Sequence, residues 1–188
     1  MRIMTYPFKR PVGALFLSTW CALAGAAEST PPAAEPGVFA QAWESVTDTD
    51  AWQGEGNWRL AVAPFAPHFR YSAEHRPVWA VAVERQRPDE WLAGLSYFSN
   101  SFGQSSAYAY VGRRYPGLLG EEPLFFQWSA GVLYGYVGKY KDKVALNVAG
   151  FAPGALIGLG WQFDPHFAAT VHLLGDAALM LQFSYDLH

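Results

Sequence analysis

Cysteine is almost absent from this chain: the single one, Cys21, lies in the first 27 residues. With it go disulfide scaffolds, thiolate metal sites and cysteine nucleophiles for everything downstream. Charge is sparse as well, at 15% of residues where a soluble domain carries about a quarter. No apolar run approaches the roughly 20 residues that a spanning helix needs. The signatures of soluble catalysis are missing too: there is no CxxC, HExxH, GxGxxG, Walker loop or GxSxG elbow. Nor is there a basic stripe or basic helix, which excludes a nucleic-acid partner.

Aromatic side chains are abundant, at 16%. Much apolar surface without a long apolar helix has one structural solution, a closed membrane barrel whose backbone groups all pair between strands. The N-terminus agrees with export. Arg2, Lys9 and Arg10 precede an apolar stretch, and then come Ala24, Gly25, Ala26 and Ala27, the order of a secretory signal peptide over 1–27. All acidic residues follow that segment, so the remainder carries about −6. Residues 28–37 form a Pro-rich tether. Phe39, Ala42, Trp43 and Val46 then recur at helical spacing, which predicts a short amphipathic helix over 38–50, lying in the membrane interface.

From position 57 to 188 the pattern changes to period two. Eight strands are expected, over 58–71, 78–85, 91–98, 107–115, 124–136, 153–163, 167–174 and 178–187. In the fifth, Phe126, Trp128, Ala130, Val132, Tyr134 and Tyr136 share one face, opposite Gln127, Ser129, Gly131 and Gly135. In the eighth, Leu179, Leu181, Phe183, Tyr185 and Leu187 oppose Met180, Gln182, Ser184 and Asp186. The fold class is therefore all-β: an eight-stranded antiparallel transmembrane β-barrel preceded by a short helix, in the outer membrane of a Gram-negative bacterium. A closed small barrel is sufficient alone, so a monomer is expected.

The links alternate in character. Those at 85–90, 116–123 and 164–166 are compact; those at 72–77, 99–104, 137–152 and 175–177 form the other set. Strand parity gathers Arg70, Arg76, Lys139, Lys141, Lys143 and the Asn100-Ser101 turn at one extracellular rim. Two residues there have the chemistry for acyl transfer, His68, which can take a proton, and Ser101, which can give one; on spacing alone they read equally as an interface histidine and a turn serine. The basic residues suit lipid phosphates, by charge-assisted hydrogen bonds, as well as plain solvation. Inward glycines Gly112, Gly131, Gly135, Gly154, Gly158 and Gly160 fit either a slot for an acyl chain or tight packing of a narrow barrel. His166 and His172 read as structural, and His75 as a possible assistant at the rim.

A leader, a short helix and eight strands in this order resemble the outer-membrane lipid A palmitoyltransferase (PagP) family. His68-Phe69-Arg70-Tyr71 looks like that family's first-strand segment, which begins with its essential histidine. Phe98-Ser99-Asn100-Ser101-Phe102 looks like its Phe-Lys-Asp-Ser-Trp turn, with Ser101 on the essential serine. Ser129-Ala130-Gly131-Val132 is similar to its fifth strand. Ala152-Pro153-Gly154-Ala155-Leu156, with Gly158-Leu159-Gly160, is similar to its proline-led sixth. The resemblance implies transfer of a palmitoyl chain from a phospholipid donor to a lipid A acceptor without metal or organic cofactor. His68 would be the base, Ser101 the hydroxyl partner and Asn100 an orienting group. Asn100 stands where the family has aspartate, and an amide carries no charge to stabilise an imidazolium. No proline occurs over 173–177, where the resemblance would place a lateral opening; Pro64, Pro67 and Pro153 are the residues able to interrupt pairing elsewhere. Two other readings of the same residues stand beside this one: a lipid A deacylase or esterase, and a non-catalytic structural or adhesive barrel.

Overall fold

Strands that alternate large apolar residues with small or polar ones cannot bury both faces in water, and here they close on themselves. In the computed structural model, which describes residues 37–187, β1 (Asn57–Phe65), β2 (Trp79–Gln86), β3 (Trp91–Ser99), β4 (Ser105–Pro116), β5 (Leu124–Tyr134), β6 (Phe151–Gln162), β7 (Phe167–Leu174) and β8 (Ala178–Leu187) form one closed barrel in sequence order. Every neighbouring pair is antiparallel, including the seam between β1 and β8. The expected signal peptide and most of the tether lie outside the described residues.

Outward positions carry a belt of Leu60, Val62, Val81, Val83, Leu95, Val132, Ile157, Leu159 and Val171, all exposed. Aromatic rings border the belt at both ends. Trp79, Tyr97, Tyr134 and Phe151 stand toward the long loops, and Trp58, Tyr115, Trp161 and Tyr185 toward the short turns. An apolar belt between two aromatic girdles, short turns at one end and longer loops at the other make this the bacterial outer-membrane type of barrel. Its location is the outer membrane of a Gram-negative bacterium, with the short turns periplasmic.

Inside, the lower half of the barrel is polar. Arg59, 2% exposed, pairs with Asp186 across the closing seam (Nη2–Oδ2 3.0 Å) and approaches Glu84 at 3.5 Å. Tyr110 donates to Glu84 (2.7 Å), and Arg114 donates to Gln127 and Gln162. Several of the inward glycines make room for neighbouring rings, and Gly112 and Gly131 for backbone of the next strand. A Cβ at Gly94 would lie 2.6 Å from the Tyr110 ring, one at Gly154 2.8 Å from Tyr108, and one at Gly158 2.7 Å from His172 Nδ1. At these positions packing, not a slot, explains the missing side chain.

Three departures from the periodicity change an element or a face, while β4 and β6 each start two residues earlier than expected. The helix expected over 38–50 is two: α1 (Val38–Thr47) and α2 (Thr49–Gln53). Asp48 divides them with an extended backbone, and its carboxylate accepts from Asp50 and Ala51 N–H as the N-cap of α2. The first strand ends at Phe65 rather than at 71. Tyr136 does not continue the outer face of β5 but turns into the lumen. The cause is Gly135 (φ 138°), where Ser106 occupies the space a Cβ would need. The α1–α2 segment is tied to the barrel by two arginines: Arg87 donates to Ser45 O and Arg85 to Gly54 O, each at 2.7 Å.

Candidate functional site

β1 starts with Arg59, Ala61 and Ala63 inward and Leu60 and Val62 outward. Strict alternation would put His68 on the lipid side with Leu60 and Val62. The register against β8 slips, however: Val62 opposes Phe183, but Phe65 opposes Leu181, so three steps on β1 match two on β8. Pro64, which has no N–H for the ladder, lies in this bulge. Pro64 and Phe65 are both exposed and Ala66 is buried, so the parity has changed. His68 consequently faces the cavity. Beyond the strand, Phe69 N–H donates to Ala177 O (2.8 Å) and Leu179 N–H to Pro67 O (3.1 Å), which pins the segment against the β7–β8 turn.

Ser101 is carried by the β3–β4 turn. Gly103 N–H donates to Asn100 O (2.9 Å), with Gly103 at φ +75°. Asn100, 1% exposed, fastens this turn with its side chain. Its Oδ1 accepts from Phe102 N–H (2.9 Å) and Gln104 N–H (3.0 Å), and its Nδ2 donates to Gly135 O and Gln104 Oε1, both at 3.3 Å. Arg76 N–H donates to Ser101 O (2.8 Å), clamping the turn to the β1–β2 loop.

These two supports bring His68 Nε2 to 2.7 Å from Ser101 Oγ. His75 stacks on His68 with ring centroids 4.1 Å apart. Phe102 meets His75 edge-on and stacks on Tyr140 at 4.2 Å, so three loops share one aromatic wall. Partial burial, and then the neighbouring His75, hold the His68 imidazolium below its ordinary pKa near 6.5. A neutral imidazole at neutral pH is the form that accepts a proton. Burial pushes the Tyr136 phenol up, partly offset by its interaction with the Ser101 hydroxyl.

Below the pair lies a cavity of about 490 Å³. Its upper wall is apolar, with Ala63, Ala66, Val78, Ala80, Leu156 and Met180. Its floor is polar, with Glu84, Tyr110, Gln127 and His172. The wall also loosens on one side. β6 pairs with β7 only from Ile157↔Leu173 downward, leaving residues 152–156, with Pro153, without a β7 partner, while Phe151 bridges to Val148 of the preceding loop. The β6–β7 pairing thus ends without a proline over 173–177, because β7 stops at Leu174 while β6 continues upward.

The sequence-derived residues separate into three groups. His68 and Ser101 are in contact. Asn100 holds the turn, and its amide bonds to Phe102, Gln104 and Gly135 rather than to His68. Of the basic residues, Lys143 lines the cavity with its ammonium 5.6 Å from the Phe102 ring, and Lys139 lies over Tyr140. Arg70, Arg76 and Lys141 are exposed on the same rim. Sequence reasoning missed Tyr136, although Gly135 inside an otherwise regular strand was the available sign of a break.

No family model and no curated protein matches the chain. Among solved structures it is similar to a de novo designed transmembrane β-barrel (15% identity, TM-score 0.50, covering 72% of this chain and 98% of that one). It is also similar to the N-terminal β-barrel domain of OprF from Pseudomonas aeruginosa (15%, TM-score 0.44, 71% and 100%). A third is Ail, the attachment invasion locus protein of Yersinia pestis (12%, TM-score 0.40, 71% and 100%). At these identities the likeness is one of architecture: a small transmembrane barrel.

Proposed function

We propose that this barrel is an acyltransferase that moves a palmitoyl chain from a phospholipid to lipid A. The observation that carries the reading is the 2.7 Å contact between His68 Nε2 and Ser101 Oγ at the mouth of an apolar-walled cavity. The acyl chain of the donor lies in the cavity with its ester at the rim. Neutral His68 accepts the Ser101 proton as the Ser101 oxygen attacks the ester carbonyl, and the lysophospholipid leaves with that proton. A lipid A hydroxyl then displaces the acyl group, with its proton returning through His68 to Ser101. Lys143, with Arg70, Arg76, Lys139 and Lys141 around the rim, offers cations to the phosphates of both lipids. Asn100 acts by holding Ser101 in place. Entry beside the unpaired part of β6 lets a lipid reach the cavity without unfolding the wall.

Mass spectrometry of lipid A from a strain expressing the protein tests this directly. The expected result is a gain of one palmitoyl unit, abolished by His68→Ala and by Ser101→Ala. A fall in mass would instead indicate a deacylase. Unchanged lipid A beside a correctly folded barrel would refute both.

A further inference from the structure

The arginines on the outside of the barrel near its periplasmic end are not equivalent. Arg85 donates to Gly54 O and lies over Trp58; Arg87 donates to Ser45 O and to Asp89, and lies over Trp52. Arg113 has no such partner. Its side chain makes no hydrogen bond or ion pair among the described residues, and its Nε is buried without an acceptor. It is instead framed by rings. Trp91 on β3 and Trp128 on β5 are its direct cross-strand neighbours, so the three side chains form one outward row. The guanidinium lies 5.6 Å from the Trp91 ring and 5.5 Å from Tyr115. Glu90 is near enough to feel its charge, but that carboxylate is hydrogen-bonded by Gln86 and also faces Arg114 and Arg59.

The depth of this row is set by the strands. Trp91 opens β3, and Arg113 lies just before Pro116 closes β4, at the level of the periplasmic aromatic girdle. A cation on the lipid-facing surface is tolerated at that depth, whereas it is costly at the midplane. Stacking covers the faces of a guanidinium, and with Nε buried the edge left to a ligand is that of the two Nη groups, whose N–H donors match phosphate oxygens. At this depth the acceptors outside the protein are lipid phosphates. We propose that Arg113, framed by Trp91, Tyr115 and Trp128, binds the phosphodiester of a phospholipid in the periplasmic leaflet. The site is at the opposite end of the barrel from His68 and stands whether or not the acyl-transfer reading holds.

The test is native mass spectrometry of the folded protein, delipidated in a neutral maltoside and titrated with phosphatidylglycerol. Wild type is expected to retain one more phosphatidylglycerol than Arg113→Gln, whose occupancy for that lipid falls about tenfold or more. Arg113→Lys is expected to fall between them. Diacylglycerol with the same chains is expected not to occupy the site on wild type, a comparison that needs no variant to fold. Equal retention by wild type and a folded Arg113→Gln barrel would overturn the proposal. So would equal binding of diacylglycerol, or displacement of the bound lipid by millimolar inorganic phosphate, which would make the site one for a free anion.

Discussion

Replacing Asn100 separates a residue that positions Ser101 from one that acts on His68. In Asn100→Ala the N–H groups of Phe102 and Gln104 lose the acceptor they reach at 2.9 and 3.0 Å, and the two bonds of Nδ2 at 3.3 Å disappear. An unsatisfied buried donor costs about 1–3 kcal/mol. The turn is at the rim, where water can enter an opened structure, so the total is expected near the lower end, about 2 kcal/mol for both donors. If that falls on the geometry of the turn, transfer slows by about 30-fold. Asn100→Asp keeps the acceptor oxygen but sets a carboxylate against Gly135 O and Gln104 Oε1, so its rate is expected not to exceed that of wild type. Two measurements read the result: the initial rate of palmitoyl transfer from labelled phospholipid to lipid A in mixed micelles, and amide hydrogen exchange at Phe102 and Gln104. Wild-type exchange and wild-type rate in Asn100→Ala would refute the positioning role. A severalfold faster Asn100→Asp enzyme would show that charge at this position acts on the histidine.

Three further outcomes follow from the geometry. In the proposed reaction neutral His68 is the active form, and its pKa is depressed, so transfer is expected to fail only as pH drops through a value below 6.5; His75→Phe keeps a stacked ring but removes the neighbouring charge, which moves the acid limb of the pH–rate profile upward. No movement, or movement downward, contradicts the assignment. Asp186→Ala leaves Arg59 with only the 3.5 Å approach to Glu84 at the closing seam, and a broken buried pair costs about 3–5 kcal/mol, read by urea unfolding in vesicles; a loss under about 1 kcal/mol would mean the lumen there is well hydrated. Gly160→Ala drives a methyl into the Phe125 ring and is expected to cost about 1–3 kcal/mol of overpacking, seen as a lowered heat-modifiability midpoint, whereas an unchanged midpoint would show that the ring moves aside.

Much of this molecule was written locally in the chain. A strand repeats every two residues, so the eight strands, their order and the faces of β5 and β8 were legible from alternation, and the links placed the rim. Even the pairing of His68 with Ser101 was suggested, but only as two residues at one end of a barrel. What alternation cannot express is a register slip, because a bulge is a relation between two strands. Strict period two sends His68 to the lipid; the extra β1 residue opposite β8 turns it inward. Likewise Tyr136 reaches Ser101 only because Ser106 and Gly135 meet across the wall. The amide of Asn100 was legible as a residue type, whereas its partners, and hence its task, come from backbone groups that the closed barrel brings together.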